Sequence, residues 1–334
     1  STQRIDDLRY NALQVDGELV SPCLSKLCAK SDRPALFAIP DARGQTGAYA
    51  GLAPVLDVSV YSAIHPHLHT GLDLEATALG ELAEMWARSI VSEMDTIVMS
   101  EEGADSAYPL ITAKAAVGRY VLLGASLGGV LAHLVTQSAA QRGHPPHGMV
   151  LLDPAPLSAV VKQPRFGFVR RAAAFLALHT ITGFEPESFK ETSNEWELGC
   201  MLAASRVDRG QPRTCFTARA VIACVRELSV ATHLLGLTAR FQAHSANTTD
   251  DVLWELKTLL VSTTVRENEF AGEDLALLQA VADVARHQFQ PSEELVLVGT
   301  YSEVIMRCAN GRDEAFNAML RRMLLEDVAH IWPL

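Results

Sequence analysis

The chain has 334 residues, 49% of them hydrophobic and 20% charged, enough for one large α/β domain or for a core domain carrying an insertion. A formal net charge of −11 with no lysine and arginine block disfavours nucleic acid as a partner. No apolar run reaches the length of a membrane span, and Ser1 to Asp7 lacks a signal-peptide pattern.

Six cysteines show no C-x-x-C pair and no metal-ligand rhythm with histidine. Free buried thiols in a reducing, cytoplasmic compartment are therefore expected. The start at Ser1, without methionine, reads as a trimmed chain or an excised piece of something larger.

Residues 1–33 are mixed and polar and read as a lead-in segment. Pro34 then opens Ala35 to Ile39, a compact buried strand closed by Pro40. A turn-rich loop from Asp41 to Gly47 and a short helix over Ala48 to Val55 lead to a second strand at Val58, Val60 and Ser62. His65, His67 and His69 alternate beyond it, but Pro66 between them argues for a loop rather than a metal-binding strand face. Leu79, Leu82, Trp86, Ile90 and Met94 recur at helical spacing.

Tyr120 to Leu123 reads as another buried strand, and Gly124-Ala125-Ser126-Leu127-Gly128 carries the Gly-x-Ser-x-Gly pattern. Val130, Leu131, Leu134 and Val135 then keep helical spacing, so strand, serine and helix stand in the order of a nucleophile elbow. Met149 to Leu152 is a further short strand ending at Asp153-Pro154. Buried strands alternating with helices predict a mostly parallel sheet covered on both faces, the α/β-hydrolase architecture.

From about Leu157 to Gln288 the pattern is mostly helical with no convincing buried strand, ending in a helix over Glu273 to Gln288. The expected organisation is therefore a lead-in over 1–33, a first core part over 34–156, a helical insertion over 157–290 and a last core part over 291–334. Within that last part, Leu295 to Val298 is read as a strand, Asp313 to Arg321 as a helix and Met323 to Leu325 as a final strand.

A serine hydroxyl needs a neighbouring base, normally histidine oriented by a carboxylate. In α/β hydrolases the partners follow in the order serine, acid, histidine. Ser126 is the candidate nucleophile and Asp153, ending the next strand, the candidate acid, with Glu303 as the fallback one strand later. His330 alone follows the last expected strand and is the candidate base, preferred over His287. The oxyanion hole needs two backbone N–H groups. Leu127 is expected to supply one and Ala42 the other, with Asp41 or Arg43 serving equally.

Taken together, Leu36-Phe37-Ala38-Ile39-Pro40, Tyr49-Ala50-Gly51-Leu52-Ala53, the Ser126 segment and Val150-Leu151-Leu152-Asp153-Pro154 resemble the thioesterase domain that ends fatty acid synthases, polyketide synthases and nonribosomal peptide synthetases. The resemblance covers about residues 20–156 and returns from about Ala280 to His330. It departs at the base, where Asp327-Val328-Ala329-His330 replaces the family's Gly-Asp-His, and in the first loop, where Ile39-Pro40 replaces His-Pro. The chain also ends at Leu334 without the helix that normally follows the histidine, as if cut after the base.

The resemblance implies that Ser126 accepts an acyl chain from the phosphopantetheine arm of a carrier protein and that Asp153 and His330 complete the triad. Water or an internal hydroxyl would release the product. It implies no cofactor bound by the chain itself. The insertion would be a lid shaping an acyl chamber, with Ala172 to Leu178 and Val230 to Leu237 as its apolar stretches. Lys162, Arg165, Arg170 and Arg171 would suit docking of an acidic carrier. A stand-alone hydrolase of esters or acyl-CoA, and a catalytically silent scaffold with the same fold, are the competing expectations.

Overall fold

The structure is a computed structural model and describes residues 18–28, 34–41, 47–70, 78–101, 119–154, 199–200, 218–240, 256–265, 286 and 289–326. Its centre is an eight-stranded sheet. The strands are β1 (Glu18–Ser21), β2 (Leu24–Cys28), β3 (Ala35–Ile39), β4 (Ser59–Ala63), β5 (Tyr120–Ala125), β6 (Gly148–Leu152), β7 (Lys257–Val265) and β8 (Glu293–Thr300), in the order β1-β2-β4-β3-β5-β6-β7-β8. β1 pairs antiparallel with β2 and β2 with β4, whereas every pairing from β4 to β8 is parallel.

β3, β4, β5 and β6 are buried along their length because both of their faces are covered, whereas the edge strand β8 leaves Val296 and Val298 exposed, and the side chains of the buried strands divide by parity. Phe37, Leu122, Leu151 and Leu260 enter one core, which they share with Trp86 and Ile90 of helix α3 (Leu79–Glu101) and Val130 and Leu131 of helix α4 (Leu127–Gln141). Leu36, Leu123, Val150 and Leu259 enter the other, against α1 (Ala53–Leu56), α6 (Tyr301–Ala309) and α7 (Glu314–Arg321). This two-sided covering is why four-residue apolar runs rather than alternating ones marked these strands in the sequence. Two polar atoms of buried aromatic side chains are tied to backbone: Trp86 Nε1 donates to Ile64 O at 3.0 Å, and Tyr120 Oη to His144 O at 2.6 Å. The result is the expected α/β-hydrolase fold.

Three expectations are corrected. Residues 18–28 of the lead-in form β1 and β2, which extend the sheet. Within β2, half-buried Lys26 places its Nζ 5.6 Å from the Tyr61 ring centroid and 3.9 Å from Glu93 Oε1. β7 lies inside the range expected to be a helical insertion, where its apolar Leu259, Leu260 and Val261 are followed by the polar Ser262, Thr263 and Thr264. Met323 to Leu325 is not a strand: it belongs to a π-helical turn over Arg322–Glu326 that continues α7 and buries Met323 and Leu324 in the second core. α7 itself begins as expected, with the Asp313 carboxylate accepting from Phe316 N–H at 3.1 Å.

Part of the expected insertion is described as helix α5 (Ala218–Arg240). Its Val230, Leu234 and Leu237 are buried and pack into the first core. Arg226, also buried, donates from Nη1 to Leu68 O at 3.1 Å and ties α5 to helix α2 (His67–Thr70). Among the described residues no helix is long and apolar enough to cross a membrane.

Candidate active site

β5 ends at Ala125 and α4 begins at Leu127, so the whole change of direction falls on one residue. Ser126 takes φ 51 and ψ −120, a combination that L-residues rarely adopt. Its N–H donates to Leu152 O on β6 at 3.0 Å and its C=O accepts from Gly129 N–H at 3.0 Å. The backbone is thus held on both sides while the side chain makes no capping hydrogen bond.

The helix can start this close to the sheet only because of what is missing at its first turn. A Cβ at position 128 would lie 2.8 Å from Ile39 O and 2.9 Å from Pro40 O, and one at position 129 would lie 2.8 Å from Pro154 Cβ. Gly128 therefore admits the chain leaving β3, and Gly129 the chain leaving β6. Two neighbouring strand exits are drawn against Ser126.

Asp153 occupies the second of these exits. Ala125, Leu152 and Val261 are in register across β5, β6 and β7, so Ser126 and Asp153 each stand one residue beyond the same level on adjacent strands. Adjacent strands run about 4.8 Å apart. Asp153 has a left-handed φ of 42, its N–H donates to Val261 O at 2.7 Å, and Thr263 Oγ1 donates to its Oδ2 at 3.3 Å. Both Ser126 and Asp153 are half-buried.

Leu127 is the first residue of α4 and is buried. A first-turn N–H has no partner within its own helix, and the next residue, Gly128, admits the β3 exit. Asp41 is described at that exit, whereas Ala42 and Arg43 lie outside the described residues. So do His330, the competing His287, the basic residues Lys162, Arg165, Arg170 and Arg171, the stretch 172–178 and, except for Arg286, the helix expected over 273–288. Glu303, the fallback acid, is exposed in the first turn of α6 rather than at a strand end. Sequence reading missed Thr263 altogether, since β7 itself was not recognised.

His65, His67 and His69 do not share a strand face. His65 follows β4, and the other two begin α2. Among the described residues no group of three metal-ligating side chains comes together. Two of the thiols are muted as nucleophiles, because burial pushes Cys23 up to about 11 and Cys308 up to about 12. A thiol in that range carries almost no thiolate at neutral pH.

His65 is instead a structural liability in acid. Its Nδ1 accepts from His67 N–H at 3.3 Å, its ring stands 5.5 Å from that of His233, and burial, then His233 and His67, lower its pKa to about 3. In the unfolded chain an imidazole titrates near 6.5, so as pH falls the unfolded state takes up the proton first. The stability is complete above about pH 6.5 and declines toward pH 3; at pH 5 the loss from this one group is about 2 kcal/mol. His133, lowered to about 4 by burial, adds to it in the same direction. Urea denaturation at pH 7.5 and pH 5 is expected to show His65→Asn losing less stability between the two than the parent. Equal losses would remove His65 as the cause.

No protein-family model matches the chain, and a comparison with curated proteins finds no match. Solved structures do resemble it. A holo four-domain nonribosomal peptide synthetase bound to AMP and glycine matches 93% of the chain at TM-score 0.56 and 16% identity, and the chain spans 20% of that protein. The NocB thioesterase domain, in covalent complex with a fluorophosphonate nocardicin G analogue, matches 92% of this chain and 99% of its own at TM-score 0.52 and 16% identity. The RedJ thioesterase of prodiginine biosynthesis in Streptomyces coelicolor matches 89% of this chain and 96% of its own at TM-score 0.51 and 16% identity. Likeness at these identities carries the fold.

Proposed function

We propose that the chain is a serine thioesterase that releases an acyl chain from the phosphopantetheine thioester of a carrier protein through an acyl-serine intermediate, by hydrolysis or cyclisation. The observation that carries this reading is Ser126 itself, held at φ 51 and ψ −120 between β5 and α4 with Asp153 at the same level of the next strand. Strain of this kind, maintained by surrounding packing, is the mark of a side chain presented for chemistry. The thioesterase domains that share the fold support the substrate class.

In this mechanism His330 takes the proton as Ser126 Oγ attacks the thioester carbonyl, and Asp153 orients the imidazole. The N–H groups of Leu127 and Ala42 receive the oxyanion. Collapse of the tetrahedral intermediate breaks the C–S bond, and the phosphopantetheine thiolate leaves with the proton from His330. Water or a hydroxyl of the acyl chain, deprotonated by the same imidazole, then releases the product and restores Ser126. No cofactor bound by the chain is required.

Delivery by a carrier is tested by presenting one acyl chain on a carrier protein and on coenzyme A. Release is expected to be faster from the carrier. Equal rates would favour a stand-alone hydrolase, and a folded protein that takes no fluorophosphonate on Ser126 would favour a silent scaffold.

A further inference from the structure

We infer that Thr263 is a positioning residue for the Asp153 carboxylate, acting from the end of the neighbouring strand; this rests on the proposed reading of Ser126 as nucleophile and Asp153 as acid. The two residues are 110 apart in sequence, and β7 brings them together. β7 holds Asp153 twice. Val261 O accepts its N–H at 2.7 Å, and Thr263 Oγ1 donates to Oδ2 at 3.3 Å.

Two backbone features converge on the same contact. Asp153 itself has a left-handed φ of 42, so its side chain leaves the strand at an angle that regular β6 geometry would not give. The β7–β8 register shifts between Thr263 and Val265, the kind of irregularity that re-aims a side chain at a strand end. Both deviations fall on the residues that meet.

The chemistry gives the contact a purpose. A carboxylate orients an imidazole through one oxygen, and rotation about its Cβ–Cγ bond would exchange or tilt that oxygen. A donor fixed on Oδ2 opposes the rotation. Thr263 thus touches no reacting atom and acts through Asp153.

The test is the rate at which a fluorophosphonate modifies Ser126, followed by intact mass across pH for the parent, Thr263→Val and Thr263→Ser, with thermal unfolding of each as a control. Valine keeps the shape and removes the donor. Its plateau rate is expected to fall about tenfold, the kinetic equivalent of one hydrogen bond to a charged group. Its acidic limb should move to lower pH, because an imidazole without an oriented carboxylate is less basic. Thr263→Ser should restore both, and Thr263→Ala replaces the valine variant if that does not fold.

A slower rate with an unmoved limb, or a serine variant as slow as the valine one, overturns the assignment and leaves Thr263 a packing residue. A parent that labels with a valine variant that matches it overturns the role of Thr263 alone. A parent that takes no label on Ser126 overturns the nucleophile, and the role of Thr263 with it.

Discussion

Ser126→Ala is expected to take no fluorophosphonate adduct and to release acyl chains more slowly by a factor on the order of 10⁶, the scale on which removing a triad nucleophile acts. The fold should survive the change. The Ser126 side chain makes no capping hydrogen bond, and both backbone contacts at that residue are made by N–H and C=O groups that alanine keeps. Thermal unfolding should therefore change little while activity disappears. Ser126→Gly sharpens the same point: glycine reaches φ 51 and ψ −120 without the clash an L-residue meets, so this inactive variant should be more stable than its parent by about 1 kcal/mol. An unchanged or lower stability in Ser126→Gly would mean that the elbow stores no strain, and an adduct surviving in Ser126→Ala would move the nucleophile elsewhere.

Gly124→Ala is the substitution expected to cost most stability. A Cβ at this position would fall on the carbonyl of Gly128, a backbone atom in the first turn of α4, with the Gly129 nitrogen 2.8 Å away. No rotamer relieves a clash between backbone and Cβ, so the helix must move off the sheet. That displacement would disturb Ser126 and both strand exits together. A loss of about 4 kcal/mol or more is expected, read as a fall in the urea midpoint, with fluorophosphonate labelling reduced even in the fraction that remains folded. Gly80→Ala is the control. That position has nothing within 4 Å of an added Cβ and lies exposed at the start of α3, so alanine there should be neutral or stabilising by a few tenths of a kcal/mol. If Gly124→Ala proved as mild as Gly80→Ala, close approach of helix and strand would not be what positions the serine.

The elements legible in the sequence were those whose pattern depends only on local neighbours. β3, β5 and β6 are short apolar runs bounded by proline, glycine or aspartate, and α3 repeats apolar residues every three or four positions. β2 and β7 were not legible. β2 includes Ser25 and Lys26, and β7 trails off into Ser262, Thr263 and Thr264. Their strand character comes from pairing with β4 and β6, partners distant in sequence. Met323 to Leu325 failed in the opposite sense, because a consecutive apolar run suits any buried backbone. What made it a continuation of α7 was the second core that Met323 and Leu324 complete.

The elbow divides the same way. Residue type and order are local properties, and they alone place a serine between a buried strand and a helix, flanked by glycines, with an aspartate ending the next strand. Folding of the whole sheet is what holds Ser126 in a strained conformation, lets Gly128 and Gly129 each admit a different strand exit, and brings Asp153 to Thr263. Those outcomes depend on strand register and on the space between backbones, which are set when the sheet closes around them.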